Sequence, residues 1–113
     1  MKNSNFGGFG GGVNLQQMMR KAQKMQEDMQ KAQEELAQKT YEATSGGGMV
    51  TCIVNGEGRL TALSIKPEAV DPDDVDMLQD LVLAAANEAL RQMAEDKEKR
   101  LSAIAPMGGG GLF

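Results

Sequence analysis

Thr40–Lys66 reads TYEATSGGGMVTCIVNGEGRLTALSIK. Three short runs of β-forming residues are separated in it by two glycine clusters. Thr40–Thr44 alternates between the two faces of a strand. Ser45-Gly46-Gly47-Gly48 is a turn. Met49–Val54 holds the β-branched Val50, Thr51, Ile53 and Val54. Asn55-Gly56 is a hairpin signal, extended by Glu57-Gly58. Arg59–Lys66 alternates well enough for a third strand, and Pro67 ends it. The segment therefore predicts a three-stranded antiparallel meander whose middle strand is the most apolar.

On its N-terminal side lies LQQMMRKAQKMQEDMQKAQEEL, residues 15–36, with no Gly, Pro or β-branched residue. Leu15, Met18, Ala22, Met25, Met29, Ala32 and Leu36 recur at alternating spacings of 3 and 4. That is a heptad seam, narrower than the stripe of a common core helix. Asn14 is the expected N-cap. The seam is built of Met and Ala, which pack closely but specify geometry weakly.

On its C-terminal side Asp71 is the expected N-cap of a second helix, with Pro72 in the first helical position and acids suited to the dipole. Val75, Leu78, Leu81, Val82, Ala85, Ala89, Leu90 and Met93 form a broad apolar face. Leu81–Ala86 is apolar all round, so more than one side of this helix needs cover. One three-stranded sheet covers only one side, which points to a second subunit. Leu78, Leu81, Val82, Ala85, Ala86 and Ala89 are the residues expected to serve core packing and dimer contact. The helix is expected to pass Leu101 and Ile104 and end before Pro106.

The fold class is thus α+β in the order α-β-β-β-α, a single domain over residues 13–105. The glycine-rich residues 1–12 and 106–113 are expected to be loose tails, because ordering glycine costs more entropy than ordering any other residue. Self-association would help a core this small.

The inventory for catalysis is thin. The 113 residues include no His and no Trp, one Cys and one Tyr, so the usual neutral-pH base is missing. Cys52 sits in the apolar strand and reads as a small buried hydrophobe. A lone cysteine excludes an intrachain disulfide framework and fits a reducing compartment. No enzyme activity, cofactor or metal is expected. Asp71, Asp73, Asp74, Asp76 and Asp80 lack the alternation and glycine of a calcium loop. The glycines at 7, 8, 10, 11 and 12 lack the Gly-Lys-Ser/Thr of a phosphate-binding loop. The N-terminus has no apolar targeting region, and the longest apolar run is too short to span a bilayer. A cytosolic protein without a membrane or small-molecule partner is expected.

Net charge is −4, so any polyanion site must be local or built by symmetry. Residues 1–40 hold six bases and four acids, while residues 67–80 hold six acids and no base. Arg20, Lys21 and Lys24 cluster towards the start of the expected first helix. Arg20 and Lys24 are a like-charge i,i+4 pair, and cations at that end oppose the helix dipole. Lys31 has an ordinary account, pairing with Glu27 one turn earlier. Arg91, Lys97, Lys99 and Arg100 form a second group, whose last three members suit a helix C-terminus. Phosphate contact by the first cluster explains a charge pattern that helix physics alone does not.

Three blocks also resemble the YbaB/EbfC family of nucleoid-associated proteins. They are Leu15–Gln26 (LQQMMRKAQKMQ), Gly47–Gly56 (GGMVTCIVNG) and Asp74–Ala89 (DVDMLQDLVLAAANEA), where Gln79 replaces the usual Glu. The likeness runs over residues 13–105 in unbroken order. It implies a homodimer with a joint central β-region and paired helical arms, likened to tweezers, that binds duplex DNA. It implies a role in nucleoid organisation and transcription, and DNA contact by basic residues of the arms. On this chain that role falls to Arg20, Lys21 and Lys24. Lys31, Arg91, Lys97, Lys99 and Arg100 lie outside the matched positions. A coiled-coil adaptor or prefoldin-like holdase, which also flanks a meander with two helices, is the competing reading of the Met-rich seam.

Overall fold

The computed structural model describes residues 2–105, with side chains from residue 14 onward. The chain folds as α1 (Lys2–Gln38), β1 (Thr40–Ser45), β2 (Val50–Asn55), β3 (Leu60–Ile65) and α2 (Val75–Ile104), with a 3-10 turn at Pro67–Ala69. The expected tail at residues 106–113 lies outside the described residues.

The helix start expected at Asn14 is corrected. α1 is 37 residues long and continues back through most of the glycine-rich stretch. No proline interrupts residues 1–38, and extending a formed helix is far easier than nucleating one. The start of α2 is corrected as well. Its N-cap is Asp74, whose carboxylate accepts from the Met77 amide at 3.2 Å. Asp71 instead accepts from the Asp73 amide at 2.9 Å and shapes the turn before the helix. Both aspartates have cap chemistry, and the Asp71 carbonyl is taken up by a turn, accepting from the Asp74 amide at 2.9 Å.

The sheet is a meander in the order β1-β2-β3, antiparallel throughout. Ala43 stands opposite Cys52, and Cys52 opposite Leu63. Opposed residues share a face, so Tyr41, Ala43, Val50, Cys52, Val54, Leu63 and Ile65 all point to the same side. The register slips between Ile53 and Val54, placing a bulge at Thr61.

α2 lies across that side, over β1 and β2. Val50, Cys52, Val54, Ala85 and Ala89 are fully buried there, with Tyr41, Leu78, Leu81, Val82, Ala86, Leu90 and Met93 packed around them. Ala85 and Ala89 are one turn apart, so the helix backbone approaches the sheet closely. Cys52 is a free buried thiol within this layer. At the β1–β2 turn, Gly46, Gly47 and Gly48 all take positive φ, and the Ser45 hydroxyl donates to the Leu81 carbonyl at 2.6 Å.

β3 is different. All of its residues except Ile65 are exposed, because α2 does not extend over it. Leu63, on the helix side, is 48% exposed, and Leu83 of α2 is 59% exposed. The single chain therefore leaves one flank of its apolar layer uncovered.

Candidate nucleic-acid interface

α1 and α2 form an antiparallel arm at the edge of the sheet. Lys39 Nζ meets Asp96 at 2.5 Å, Arg100 pairs with Glu35, and Lys21, Lys24, Met25 and Asp28 share a groove with Ala103 and Ile104. Successively earlier positions on α1 thus meet later positions on α2. α2 ends at Ile104, level with Met25, and α1 continues beyond it.

The heptad seam divides at that level. Ala32 and Leu36 are buried and Met29 is half-buried. Met25 is 43% exposed, Met18 64% and Leu15 56%. Beyond Met25, Leu15 and Met18 stand largely exposed, because the opposing helix has ended.

The cations follow the same division. Arg20, Lys21, Lys24 and Lys31 are all exposed. With 3.6 residues per turn, Arg20, Lys24 and Lys31 lie within roughly 40° of one another around the helix. Residues 15–25 contain three bases and no acid. Below them the same stripe gains Asp28 and Glu35. Lys24 reaches Asp28 at 3.6 Å across an exposed i,i+4 spacing, a contact of about 0.3–0.5 kcal/mol. Arg20, Lys21 and Lys31 make no ion pair among the described residues, and Lys31 is not paired with Glu27. Because α1 begins at Lys2, Arg20–Lys24 lie far inside the helix, and the dipole argument for them no longer applies.

The second basic group is largely committed within the chain. Arg91 donates to both carboxylate oxygens of Glu88, at 3.0 and 2.8 Å, and to Glu95 at 3.2 Å. The arginine holds the Glu88 carboxyl below its ordinary pKa. Lys99 lies 4.0 Å from Glu95. The Arg100 guanidinium holds the Glu35 carboxyl low in the same way. That pair gives Glu35 a cation across the arm, although it stands at the C-terminal end of α1. Only Lys97 of this group makes no ion pair among the described residues; it lines a hollow with Gln33, Leu36, Ala37, Gly56 and Glu57.

The root of the arm holds a cluster that sequence reading did not single out. Asp96 accepts from Lys39 and, at 2.7 Å, from the Tyr41 hydroxyl, while the Lys39 ammonium lies 5.6 Å from the Tyr41 ring centre. Burial, followed by the hydrogen bond and charge of Asp96, pushes the Tyr41 phenol up to about 12. Lys39 and Tyr41 hold the Asp96 carboxyl below its ordinary value. A folded-state pKa raised above the ordinary phenol value of 10 favours folding fully below that value and loses the contribution as pH rises towards 12. Tyr41 is the chain's one tyrosine and there is no tryptophan, so ultraviolet absorbance follows it alone. The expected midpoint is near 12, falling partway towards 10 in Asp96→Asn. A midpoint at 10 in the unmodified chain would show that the cluster does not form.

No helix among the described residues is long and apolar enough to cross a membrane, and no group of side chains there could hold a metal ion.

Comparison with known proteins adds to this geometry. The model of the YbaB/EbfC DNA-binding family matches residues 10–109. A nucleoid-associated protein of Acetivibrio thermocellus is 51% identical, with 100% of both chains covered. Nucleoid-associated protein TTE0040 of Caldanaerobacter subterraneus subsp. tengcongensis is 52% identical over 95% of this chain and 97% of that one. Among solved structures, uncharacterized protein HP0035 from Helicobacter pylori has a TM-score of 0.58 at 24% identity, covering 69% of this chain and 90% of that chain. That likeness concerns the fold.

Proposed function

This chain belongs to the YbaB/EbfC DNA-binding family, and on that premise we propose that it is a nucleoid-associated homodimer that grips duplex DNA between two helical arms. Arg20, Lys21 and Lys24 supply the phosphate contacts, and Lys31 and Lys97 are secondary contributors. The observation that carries this reading is the arm end itself, a stretch with three exposed bases and no acid in residues 15–25. Arg91, Lys99 and Arg100 are spent on glutamates and contribute less. Two-fold symmetry doubles the local positive charge in a chain whose net charge is −4. Recognition is by backbone and shape, since the three bases of residues 15–25 have no aromatic or asparagine side chain beside them in that stretch to read bases. Binding of this kind organises the nucleoid and thereby affects gene expression, without enzymatic chemistry.

The test is a titration of duplex DNA against salt. Each neutralised phosphate contributes about −0.9 to the slope of log K on log salt, so six cations from two protomers give a slope on the order of −5. Arg20→Gln/Lys24→Gln removes four of them and flattens the slope by about 3–4. No complex at low salt, or an unchanged slope in the variant, overturns the reading. The adaptor or holdase reading is favoured by the exposed Leu15, Met18 and Met25. Salt-insensitive suppression of client aggregation, without any DNA complex, would replace the first reading with that one.

A further inference from the structure

The arm carries a chemistry that neither its packing nor its charge uses. Met18, Met19, Met25 and Met77 are exposed, whereas Met29, Met49 and Met93 are half-buried. Cys52 is fully buried, Tyr41 is half-buried, and the chain has no tryptophan. The readily oxidised side chains open to solvent among the described residues are therefore methionines, and three of these four lie in residues 18–25 of α1. Of those three, only Met25 lines the contact between the two helices of the arm. It shares a groove with Ala103 and Ile104 of the last turn of α2, and Lys21, Lys24 and Asp28 line the rest of it. We propose that Met25 is a reversible oxidation switch that releases the last turn of α2 from α1 when its sulfur is oxidised.

The reaction is an oxygen transfer from a hydroperoxide. The thioether lone pair attacks the terminal peroxide oxygen, the O–O bond breaks and an S–O bond forms. Sulfur gives up two electrons. The peroxide gains them and leaves as an alcohol, or as water from hydrogen peroxide, once the proton of the attacked oxygen passes to the leaving one. A thiol-driven reductase reverses the step: two thiols become a disulfide and the sulfoxide oxygen departs as water. Neither direction needs an acid or base from this chain, which has no histidine.

The consequence follows from where the sulfur sits. The thioether is apolar and the sulfoxide polar. The side chains of Ala103 and Ile104 offer its oxygen no donor, and a polar group pressed into apolar contact without a hydrogen bond is costly. Water and the Lys21 and Lys24 ammonium groups of the same groove satisfy it on the open side, so the modified side chain turns away from α2. Little else holds that turn. Ala103 is exposed, Leu101 and Ile104 are half-buried, and the Ala105 amide closes on the Leu101 carbonyl at 3.0 Å. The cross-helix pairs Arg100–Glu35 and Lys39–Asp96 lie nearer the root of the arm, so the opening is confined to the end of α2. The switch is independent of whether the cations meet DNA.

Hydrogen exchange read by mass spectrometry tests this on the full chain. Dilute hydrogen peroxide should convert Met18, Met19 and Met25 ahead of the half-buried Met93. Once Met25 is oxidised, the amides of residues 101–105 should exchange on the order of three- to tenfold faster, the change expected for loss of one half-buried apolar contact. Methionine sulfoxide reductase should restore the original rate. Met25→Leu keeps an apolar side chain of similar size, and peroxide should leave its exchange unchanged. Met18→Leu/Met19→Leu/Met77→Leu should keep the full response. Unchanged exchange at complete oxidation of Met25 overturns the proposal. A response that survives in Met25→Leu does so too, since another methionine then causes it, as does loss of the response in the triple variant or a Met25 that reacts no faster than Met93.

Discussion

Gly56→Ala is expected to destabilise the chain by at least about 3 kcal/mol, enough to lower the melting temperature by roughly 10–20 °C. An ideal Cβ at Gly56 would stand 1.7 Å from the Leu36 carbonyl oxygen, 2.6 Å from its carbon and 2.9 Å from the Ala37 Cα. All three are backbone atoms, so no rotamer change relieves the overlap. The last turn of α1 must lift away from the β2–β3 connection. That movement unpacks Ala32 and Leu36 and strains the Lys39–Asp96 and Arg100–Glu35 pairs that hold the arm. Gly47→Ala is the matched control. Gly47 has φ +67 with nothing within 4 Å of the added carbon, so its cost is conformational alone, about 1–2 kcal/mol. Thermal unfolding of the two variants side by side decides the matter. If Gly56→Ala melts within a degree or two of Gly47→Ala, the close approach does not exist.

Gly56 also shows what was and was not legible in the sequence. Asn55-Gly56 read as hairpin chemistry, and a hairpin is there, but Gly56 is absent from the positive-φ glycines while Gly58 takes φ 84°. Turn propensity located the connection, and only the tertiary path of α1 reveals why the first glycine has no side chain. The strands and both helices were legible because each has a period that a sequence displays directly. The helix boundaries were not, since Asp71 and Asp74 have the same capping chemistry and only the folded backbone shows that Asp74 is the cap. At the candidate site, spacing alone clustered Arg20, Lys21 and Lys24 and put Arg20 one turn from Lys24. It could not distinguish free cations from committed ones. The partner of Arg100 is Glu35, 65 positions away, and that of Lys39 is Asp96, 57 positions away. Such pairs follow from the antiparallel arm, and no local pattern announces them. The dipole argument for Arg20–Lys24 failed for a related reason. It rested on a helix start that the backbone does not use.

Leu83→Asp is expected to separate the proposed homodimer while leaving the fold of each chain in place. Leu83 is 59% exposed in the single chain, so the substitution removes little intrachain packing. It nevertheless lies beside Ile65, Leu78, Gln79 and Val82 around one apolar hollow, next to the uncovered helix-side face of β3. Leu60 and Leu63 of that strand are about half exposed, and the unpaired edge of β3 adjoins them. An apolar flank formed jointly by a helix and an edge strand is an association surface or an aggregation hazard. A second copy satisfies it with two-fold symmetry, each chain burying the same residues. Sedimentation should give about 24 kDa for the unmodified protein, twice the 12.1 kDa chain, and about 12 kDa for Leu83→Asp at micromolar concentration. A buried unpaired carboxylate on each side of the two-fold axis costs several kcal/mol, which outweighs the margin of most small dimers. Loss of the dimer should abolish the DNA complex at moderate salt, since one arm offers three of the six cations and the phosphate term scales with their number. The outcome discriminates between the two halves of the proposal. A monomeric variant that binds DNA as before would mean that single arms suffice. An unmodified protein of 12 kDa would mean that the exposed flank serves some other partner.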